Sequence, residues 1–293
     1  MISIIITTYK REVGILQRAI KSVLAQTYKE LELIVVDDSP ATYAHREAIR
    51  KYVTSISEIP TLYIQHERNM GACIARNTGI DNSSGEYIAF LDDDDEWFPQ
   101  KLEKQLQMFR EDVGLVYCGR LISNDETSQV YPSDVTFHNG YIFDSLIKAN
   151  YIGSTSFPLI RRDVLCEIGK FDSEMKSAQD YDVWLRIAQK YRIEYVSDPL
   201  VIYHVHSGEQ ISKNAKNVIC GLERLNNKNL DYLKAHKQIL GLRIMKITPY
   251  YAVFNKRQAI TVWFKSAFKR PACIKSNIYY LVQILLAKKQ ASR

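Results

Sequence analysis

Apolar and polar positions alternate in blocks along the first ninety residues. Ile2-Ser3-Ile4-Ile5-Ile6 and Leu31-Glu32-Leu33-Ile34-Val35-Val36 are short, β-branched runs of the kind that fill buried strands. Between them Leu16, Ile20, Val23 and Leu24 recur at helical spacing, so the opening unit reads strand, helix, strand. The pattern repeats with a helix over 41–52, a strand near 62–65, a helix over about 71–80 and a strand at 87–91. Such alternation predicts parallel strands joined by right-handed helical crossovers, a Rossmann-like α/β layer. After a further strand candidate at 114–118, regularity weakens through 124–151 into hairpins and loops. A helix is predicted over 180–190, with Val183, Trp184, Ile187 and Ala188 on one face, followed by a strand at 193–196. From about Lys216 onward the chain reads as helical and basic.

Composition narrows the class. With 293 residues, 46% hydrophobic and 25% charged, the chain suits one principal globular domain plus an extension, and disordered or collagen-like classes are excluded. The formal charge of +6 hides a division. The stretch 213–293 holds 17 basic and two acidic residues, a local +15, and 1–212 holds 22 basic and 31 acidic, a local −9. An acidic body with a basic tail bears on partners, which include nucleic acid, anionic lipid and anionic substrates. The five cysteines, Cys73, Cys118, Cys166, Cys220 and Cys273, have no CxxC spacing and are odd in number, which argues for a reducing compartment rather than a disulfide framework or a zinc knuckle. The first residues enter a strand without the basic region and cleavage site of a secretory signal, and no apolar run approaches the ~18–20 residues that span a bilayer. The expected location is the cytoplasm, including peripheral attachment to the inner face of the cell membrane.

In open α/β sheets ligands bind beyond the carboxyl ends of the strands. Those positions hold Thr7-Thr8-Tyr9, Asp37-Asp38 and Asp92-Asp93-Asp94-Asp95. Four consecutive carboxylates repel one another, and a hard divalent cation, Mg²⁺ or Mn²⁺, is the simplest compensation. A solvated acidic turn in which one Asp caps the following helix is the plainer reading of the same residues.

Context adds to this. Thr7-Thr8-Tyr9-Lys10, Val35-Val36-Asp37-Asp38-Ser39, Asn69-Met70-Gly71 with Ala75-Arg76-Asn77-Thr78-Gly79, and Phe90-Leu91-Asp92-Asp93-Asp94-Asp95 follow one another at βα-unit spacing. The series resembles glycosyltransferase family 2 over about residues 1–212. The resemblance implies the GT-A fold, a Rossmann-like mixed sheet flanked by helices, here with a C-terminal helical extension. It also implies an inverting, metal-dependent transfer from a nucleotide sugar, with 1–118 as the donor-binding part, 119–212 as the acceptor-binding part and 213–293 as a basic helical region. Carried over by position, it gives donor-binding roles to Thr7, Tyr9, Asp37, Asp38, Arg76, Asp92 and Asp93. Tyr9 would stack on the base, Asp38 would accept from a uracil ring N–H, and Arg76 would reach the ribose or diphosphate. Asp94, Asp92 and His206 are the implied metal ligands, although the D-x-D pattern can also be read one residue later. Downstream, Gln179-Asp180-Tyr181-Asp182-Val183-Trp184-Leu185-Arg186 resembles the helix start that carries the family's base. It gives Asp180 that role, with Gln179 standing where Glu is common. A carboxylate at a helix N-terminus is stabilised as the anion and suits proton removal. Tyr203-His204-Val205-His206 resembles the segment that closes over the donor diphosphate.

The tail interleaves aromatic and cationic residues over 259–271, and 278–287 is apolar. Both features suit an anionic membrane surface, or equally a helical subdomain packed through its apolar stripes. The expected acceptor is a glycan or lipid-linked saccharide in capsule, lipopolysaccharide or related surface-polysaccharide assembly, with a UDP-sugar as donor. The sequence leaves oligomeric state open. A sugar-nucleotide pyrophosphorylase should carry a Gly-rich loop after the first strand, where this chain has Thr7-Thr8-Tyr9-Lys10-Arg11. A non-enzymatic nucleic-acid binder would leave the acidic body unexplained.

Overall fold

The computed structural model describes residues 1–124, 126–133, 136–205 and 214–287. These form two compact units. The first takes in the described residues of 1–146, 150–173 and 183–205, and the second those of 147–149, 174–182 and 214–287.

In the first unit β1 (Ile2–Thr8), α1 (Val13–Leu24), β2 (Leu31–Asp37), α2 (Arg46–Thr54), β3 (Thr61–Gln65), α3 (Ala72–Asp81) and β4 (Tyr87–Asp92) alternate. Then follow β5 (Glu96–Trp97), α4 (Lys101–Leu106), β6 (Val113–Asn124), β7 (Gln129–Pro132), α5 (Phe143–Leu146), β8 (Leu159–Arg161) and α6 (Arg162–Glu167). The helix α7 (Gln179–Ala188) begins in the second unit and continues in the first, which ends with β9 (Arg192–Val205).

Among the described residues the strands form one mixed sheet in the order β3-β2-β1-β4-β8-β6-β9-β5, with β7 paired to β6. The four strands at one end are parallel, with Thr8 opposite Asp37 and Thr7 opposite both Val36 and Asp92. The carboxyl ends of β2, β1 and β4 therefore lie side by side, spanning about 10 Å across two inter-strand spacings. β8 is antiparallel to β4 and to β6, and β5 to β9, so the sheet is mixed. The β-branched runs make the core. Ile4, Ile6, Leu33 and Val35 are buried with Leu16, Ile20 and Val23 of α1, Ile49 and Val53 of α2, and Leu91. The strand read at 114–118 extends to Asn124 and the one read at 193–196 runs from Arg192 to Val205. Both long strands carry polar residues that obscure their pattern, Arg120 and Ser123 in β6 and Glu194, Asp198 and His204 in β9.

The second unit consists of the first turn of α7 with α8 (Ala215–Lys228), α9 (Leu230–Ala235), α10 (Lys237–Phe254), α11 (Lys256–Ala267) and α12 (Ile274–Leu286). Its helical character follows the basic, periodic stretch read from Lys216. A small core forms from Ala252, Ala259 and Ile284 with Tyr251 and Trp263 packed against it. Among the described residues no helix is long and apolar enough to cross a membrane, and all five cysteines are free.

Candidate active site

The edge formed by β2, β1 and β4 gathers Thr7, Tyr9, Asp37, Asp38 and the acidic run. Tyr9 follows β1 with its ring 43% exposed, and Lys10, at φ 48°, turns the chain and donates its backbone N–H to Ser39 Oγ at 2.8 Å. Asp37 is fully buried. It accepts from the Tyr63 hydroxyl at 2.7 Å and from the backbone N–H of Ser39 at 2.9 Å. Burial and the adjacent Asp37 charge push the Tyr63 phenol well above its ordinary pKa. Asp38 Oδ1 accepts from the Met70 N–H at 2.8 Å and from His66 Nδ1 at 2.7 Å, and Oδ2 from the Gly71 N–H at 2.8 Å. Asp38 thereby anchors the loop that enters α3. An ionised carboxylate has about four acceptor positions, so one on Oδ2 is left over.

α3 carries Arg76, whose guanidinium donates to Asp92 Oδ1 at 3.1 Å and lies 5.5 Å from the centre of the Phe171 ring. Asp92 also accepts from the hydroxyls of Ser154 at 2.7 Å and Thr155 at 3.0 Å, and its backbone N–H donates to Ser156 Oγ. Burial alone would raise the Asp92 carboxyl. Arg76 and the two hydroxyls outweigh it and hold the pKa below the ordinary aspartate value.

Asp93 points inward, accepting from Thr8 Oγ1 at 2.7 Å and from Arg11 Nε at 2.9 Å. Its pKa is raised by burial that Arg11 only partly offsets. The same Arg11 reaches Asp94 Oδ2 at 2.9 Å, and Arg18 donates to the Asp94 carbonyl at 2.8 Å. Asp95 is buried at the other side of the turn, accepting from the His204 backbone N–H at 3.1 Å, and its Oδ2 has no hydrogen-bond partner among the described residues. Burial, then the charges of Asp92 and Asp94, raise its pKa well above the usual range, which favours the neutral acid. The repulsion expected of four consecutive carboxylates is thus relieved largely inside the protein, by Arg11, Arg76 and the burial of Asp95.

The exposures alternate. The side chains of Asp92 and Asp94 are 29% and 20% accessible, whereas Asp93 and Asp95 are buried. Asp92 and Asp94 offer hard carboxylate oxygens, the donor type that Mg²⁺ and Mn²⁺ prefer. No group of three His, Cys, Asp or Glu able to hold a metal occurs among the described residues. That fits a cation which takes one or two carboxylates and completes its shell with phosphate and water. His206, the third ligand implied by resemblance, lies outside the described residues.

Asp180 belongs to the second unit, in the first turn of α7. The preceding Ala178 has φ 56°, left-handed for a residue with a side chain, and its carbonyl accepts the Asp182 N–H at 3.0 Å. Asp182 is buried and paired with Lys228 Nζ at 2.8 Å, whereas Asp180 is only half-buried. Gln179 turns its amide back to the Met175 carbonyl at 3.1 Å. An open groove of about 540 Å³ follows one face of α8, lined by Cys220, Glu223, Arg224, Asn227 and Lys228.

Arg11, Ser154 and Thr155 escaped the sequence reading. Arg11 stands two residues beyond Tyr9, and a cation placed there opposite an acidic run is a usable signal. Ser154 and Thr155 lie 62 and 63 positions from Asp92 and carry none.

The mixed, helix-flanked sheet is of GT-A type. Residues 3–169 match the family described as Glycosyl transferase family 2, and the chain belongs to that family. It is 37% identical over 224 residues to WcaA of Escherichia coli (strain K12), named as a colanic acid biosynthesis glycosyl transferase, covering 74% of this chain and 77% of that one. The fold matches S. aureus TarS 1–349 in complex with UDP-GlcNAc, at a TM-score of 0.69 and 18% identity over 97% of this chain and 90% of that one. It also matches a mannosyltransferase from Pyrobaculum calidifontis, PcManGT, in complex with GDP-Man and Mn²⁺, with a TM-score of 0.61 and 18% identity over 97% and 86% of the two chains.

Proposed function

We propose that this glycosyltransferase moves a sugar from a UDP-sugar to a hydroxyl of a glycan or lipid-linked acceptor in the assembly of capsule, lipopolysaccharide or another surface polysaccharide, with inversion at the anomeric carbon. The observation that carries the reading is the array at the ends of β2, β1 and β4, where an exposed aromatic ring, a buried acidic pair and an arginine-tied acidic turn share one edge. The name of WcaA supports a polysaccharide acceptor, and the UDP-GlcNAc held by TarS supports the donor class.

Tyr9 stacks on the base, and the remaining acceptor position of Asp38 takes its ring N–H. Asp37, buried and tied to Tyr63 and Ser39, keeps that wall fixed, with Thr7 near it at the end of β1. Arg76 offers its planar fork to the diphosphate, while Asp92, held ionised by Arg76 and two hydroxyls, takes the ribose or the cation. Asp93 acts indirectly, locking Thr8 and Arg11 in place. Asp94 and Asp92, with His206, would hold Mg²⁺ or Mn²⁺, which when bound supplies positive charge against the leaving diphosphate. Asp180 removes the acceptor hydroxyl's proton as its oxygen attacks the anomeric carbon and the bond to the phosphate oxygen breaks. Asp180, half-buried where Asp182 is buried, is the more accessible carboxylate of the two, and the groove along α8, which Lys228 lines, suits the acceptor.

The test is UDP release across a panel of UDP- and GDP-sugars, with and without Mn²⁺, using polysaccharide repeat-unit acceptors. Asp180→Asn is expected to lower kcat about 10³-fold or more while the donor Kd stays unchanged. Full activity in that variant removes Asp180 from the mechanism.

The tail favours work at the inner membrane face. On α12, Ile274, Ile278, Val282, Leu285 and Leu286 are 43–70% exposed, and Phe264 of α11 and Phe268 just after it are exposed as well. An apolar stripe flanked by cations suits an anionic bilayer surface.

A further inference from the structure

His66, the residue after β3, is held by three neighbouring elements. Its backbone N–H donates to the Asp37 carbonyl at the end of β2 at 3.0 Å, and its own carbonyl accepts from Arg46 Nη2 of α2. The ring is engaged at both nitrogens. Nδ1 lies 2.7 Å from Asp38 Oδ1, and because an ionised carboxylate only accepts, Nδ1 carries the proton of this pair. Nε2 lies 3.1 Å from the Thr78 hydroxyl of α3. With backbone and ring both tied, the imidazole keeps one position against Asp38.

That position decides what Asp38 has left to offer. Each oxygen of an ionised carboxylate has about two acceptor positions. Oδ1 is filled, by the Met70 N–H at 2.8 Å and by His66, whereas Oδ2 takes the Gly71 N–H at 2.8 Å and keeps one position. A ligand therefore meets a single acceptor here and not two side by side. The Asp38 N–H donates to the Thr8 carbonyl at 2.9 Å, which sets Asp38 next to the exposed ring of Tyr9. Bases are read at their Watson–Crick edges. Uracil presents one ring N–H there between two carbonyls, and guanine presents a ring N–H with an amino group beside it. A carboxylate pairs with guanine through both oxygens at once. With Oδ1 saturated that pairing is closed, and the guanine amino group would give up water without a replacement acceptor.

On the donor reading given above, in which Tyr9 and Asp38 receive the base, we propose that His66 decides which base is accepted. By occupying Asp38 Oδ1 it leaves one acceptor, which admits a nucleoside diphosphate of the uracil kind and turns away guanine. The selection works by withholding an acceptor from the wrong base, with no added contact to the right one. His66 touches Asp38 and acts through it, as a positioning residue.

The experiment is calorimetric titration of the full-length protein with UDP, GDP and inosine diphosphate at one fixed Mn²⁺ concentration. Wild type is expected to bind UDP about tenfold or more tightly than GDP. Inosine diphosphate keeps the purine ring N–H and lacks the amino group, so wild type is expected to bind it more tightly than GDP, a comparison that requires no variant. Two substitutions then separate the nitrogen from the bulk of the ring. The amide of His66→Asn reaches the place of Nδ1 and keeps a donor on Asp38 Oδ1, whereas the amide of His66→Gln reaches the place of Nε2 and vacates Oδ1. His66→Asn is expected to retain the wild-type ratio of GDP to UDP dissociation constants, and His66→Gln to lower it about fivefold or more through tighter binding of GDP. A merely structural role would move both affinities together in both variants, and that result overturns the proposal, as does equal binding of GDP and inosine diphosphate by wild type. Selective UDP binding that His66→Gln leaves unchanged removes His66 from the choice while the donor reading stands. Absence of UDP binding by wild type overturns both.

Discussion

Single side chains of the first unit show how much of the site is local. Asp92, Asp94 and Arg76 could be placed from sequence because strand ends and the third helix are set by short-range pattern. Arg11 left only the hint of a cation just after Tyr9, since its role depends on a turn at Lys10 that aims it toward Asp93 and Asp94. The core holds another unforeseen charge. Lys101 is fully buried, with its Nζ 4.2 Å from the centre of the Trp97 ring and 2.8 Å from Gln105 Oε1. Burial lowers its pKa from 10.5 to about 8. Below pH 8 the ammonium is charged in both states and the folded protein bears the full penalty. As pH rises from about 8 to 10.5 the folded state loses its proton first, so the unfolded state binds more protons and stability increases with pH. The span corresponds to about 3 kcal/mol. Urea denaturation of wild type across that window is expected to show this rise against a Lys101→Met reference, in which it disappears; parallel curves for the two would refute it.

Elements decide the rest. Strands β1 to β4 were legible because each is a β-branched run bounded by turn residues and separated by a helix of ordinary length. β8 was not, because three residues, Leu159–Arg161, make no periodic signal. Its direction nevertheless builds the site. An antiparallel strand next to β4 begins at the edge where β4 ends, and so the segment leading into it brings Ser154, Thr155 and Ser156 to Asp92. In the second unit α8 does comparable work for α7. Gly221 faces the backbone of Ser177, where a Cβ would stand 2.4 Å from the carbonyl oxygen, and the left-handed Ala178 follows directly. Gly221→Ala is expected to shift this turn and the first residues of α7, lowering kcat about tenfold or more while the donor KM stays unchanged. Steady-state kinetics decide the matter. A rise in donor KM at constant kcat would mean that the turn does not position Asp180.

At the scale of the molecule the division of charge, −9 over 1–212 and +15 over 213–293, was plain from composition, as was the helical nature of the tail. The details of the tail were not, since Arg270 meets Gly241 and Met245 only through packing of α10 against the α11–α12 connection. If the tail rests on anionic lipid, cosedimentation with phosphatidylglycerol vesicles is expected to be strong at low salt and to fall steeply toward 0.5 M, because the screening length shrinks below about 5 Å. Salt-independent or absent binding would leave the exposed stripe of α12 without that role. The short strand β8 has one more consequence. Without it the sheet is two pieces, β3-β2-β1-β4 and β6-β9-β5; with it they are joined by two residues with partners on both sides, Leu159 between Ala89 and Val116 and Ile160 between Ile88 and Leu115. Joining the two pieces requires pairing across some seventy residues, a separation comparable with that of Ile2 and Tyr87 where β1 meets β4. The seating of β8 also delivers the hydroxyls of Ser154 and Thr155 to Asp92. A substitution that unseats Leu159 or Ile160 would therefore reach Asp92 without touching any residue of the acidic run.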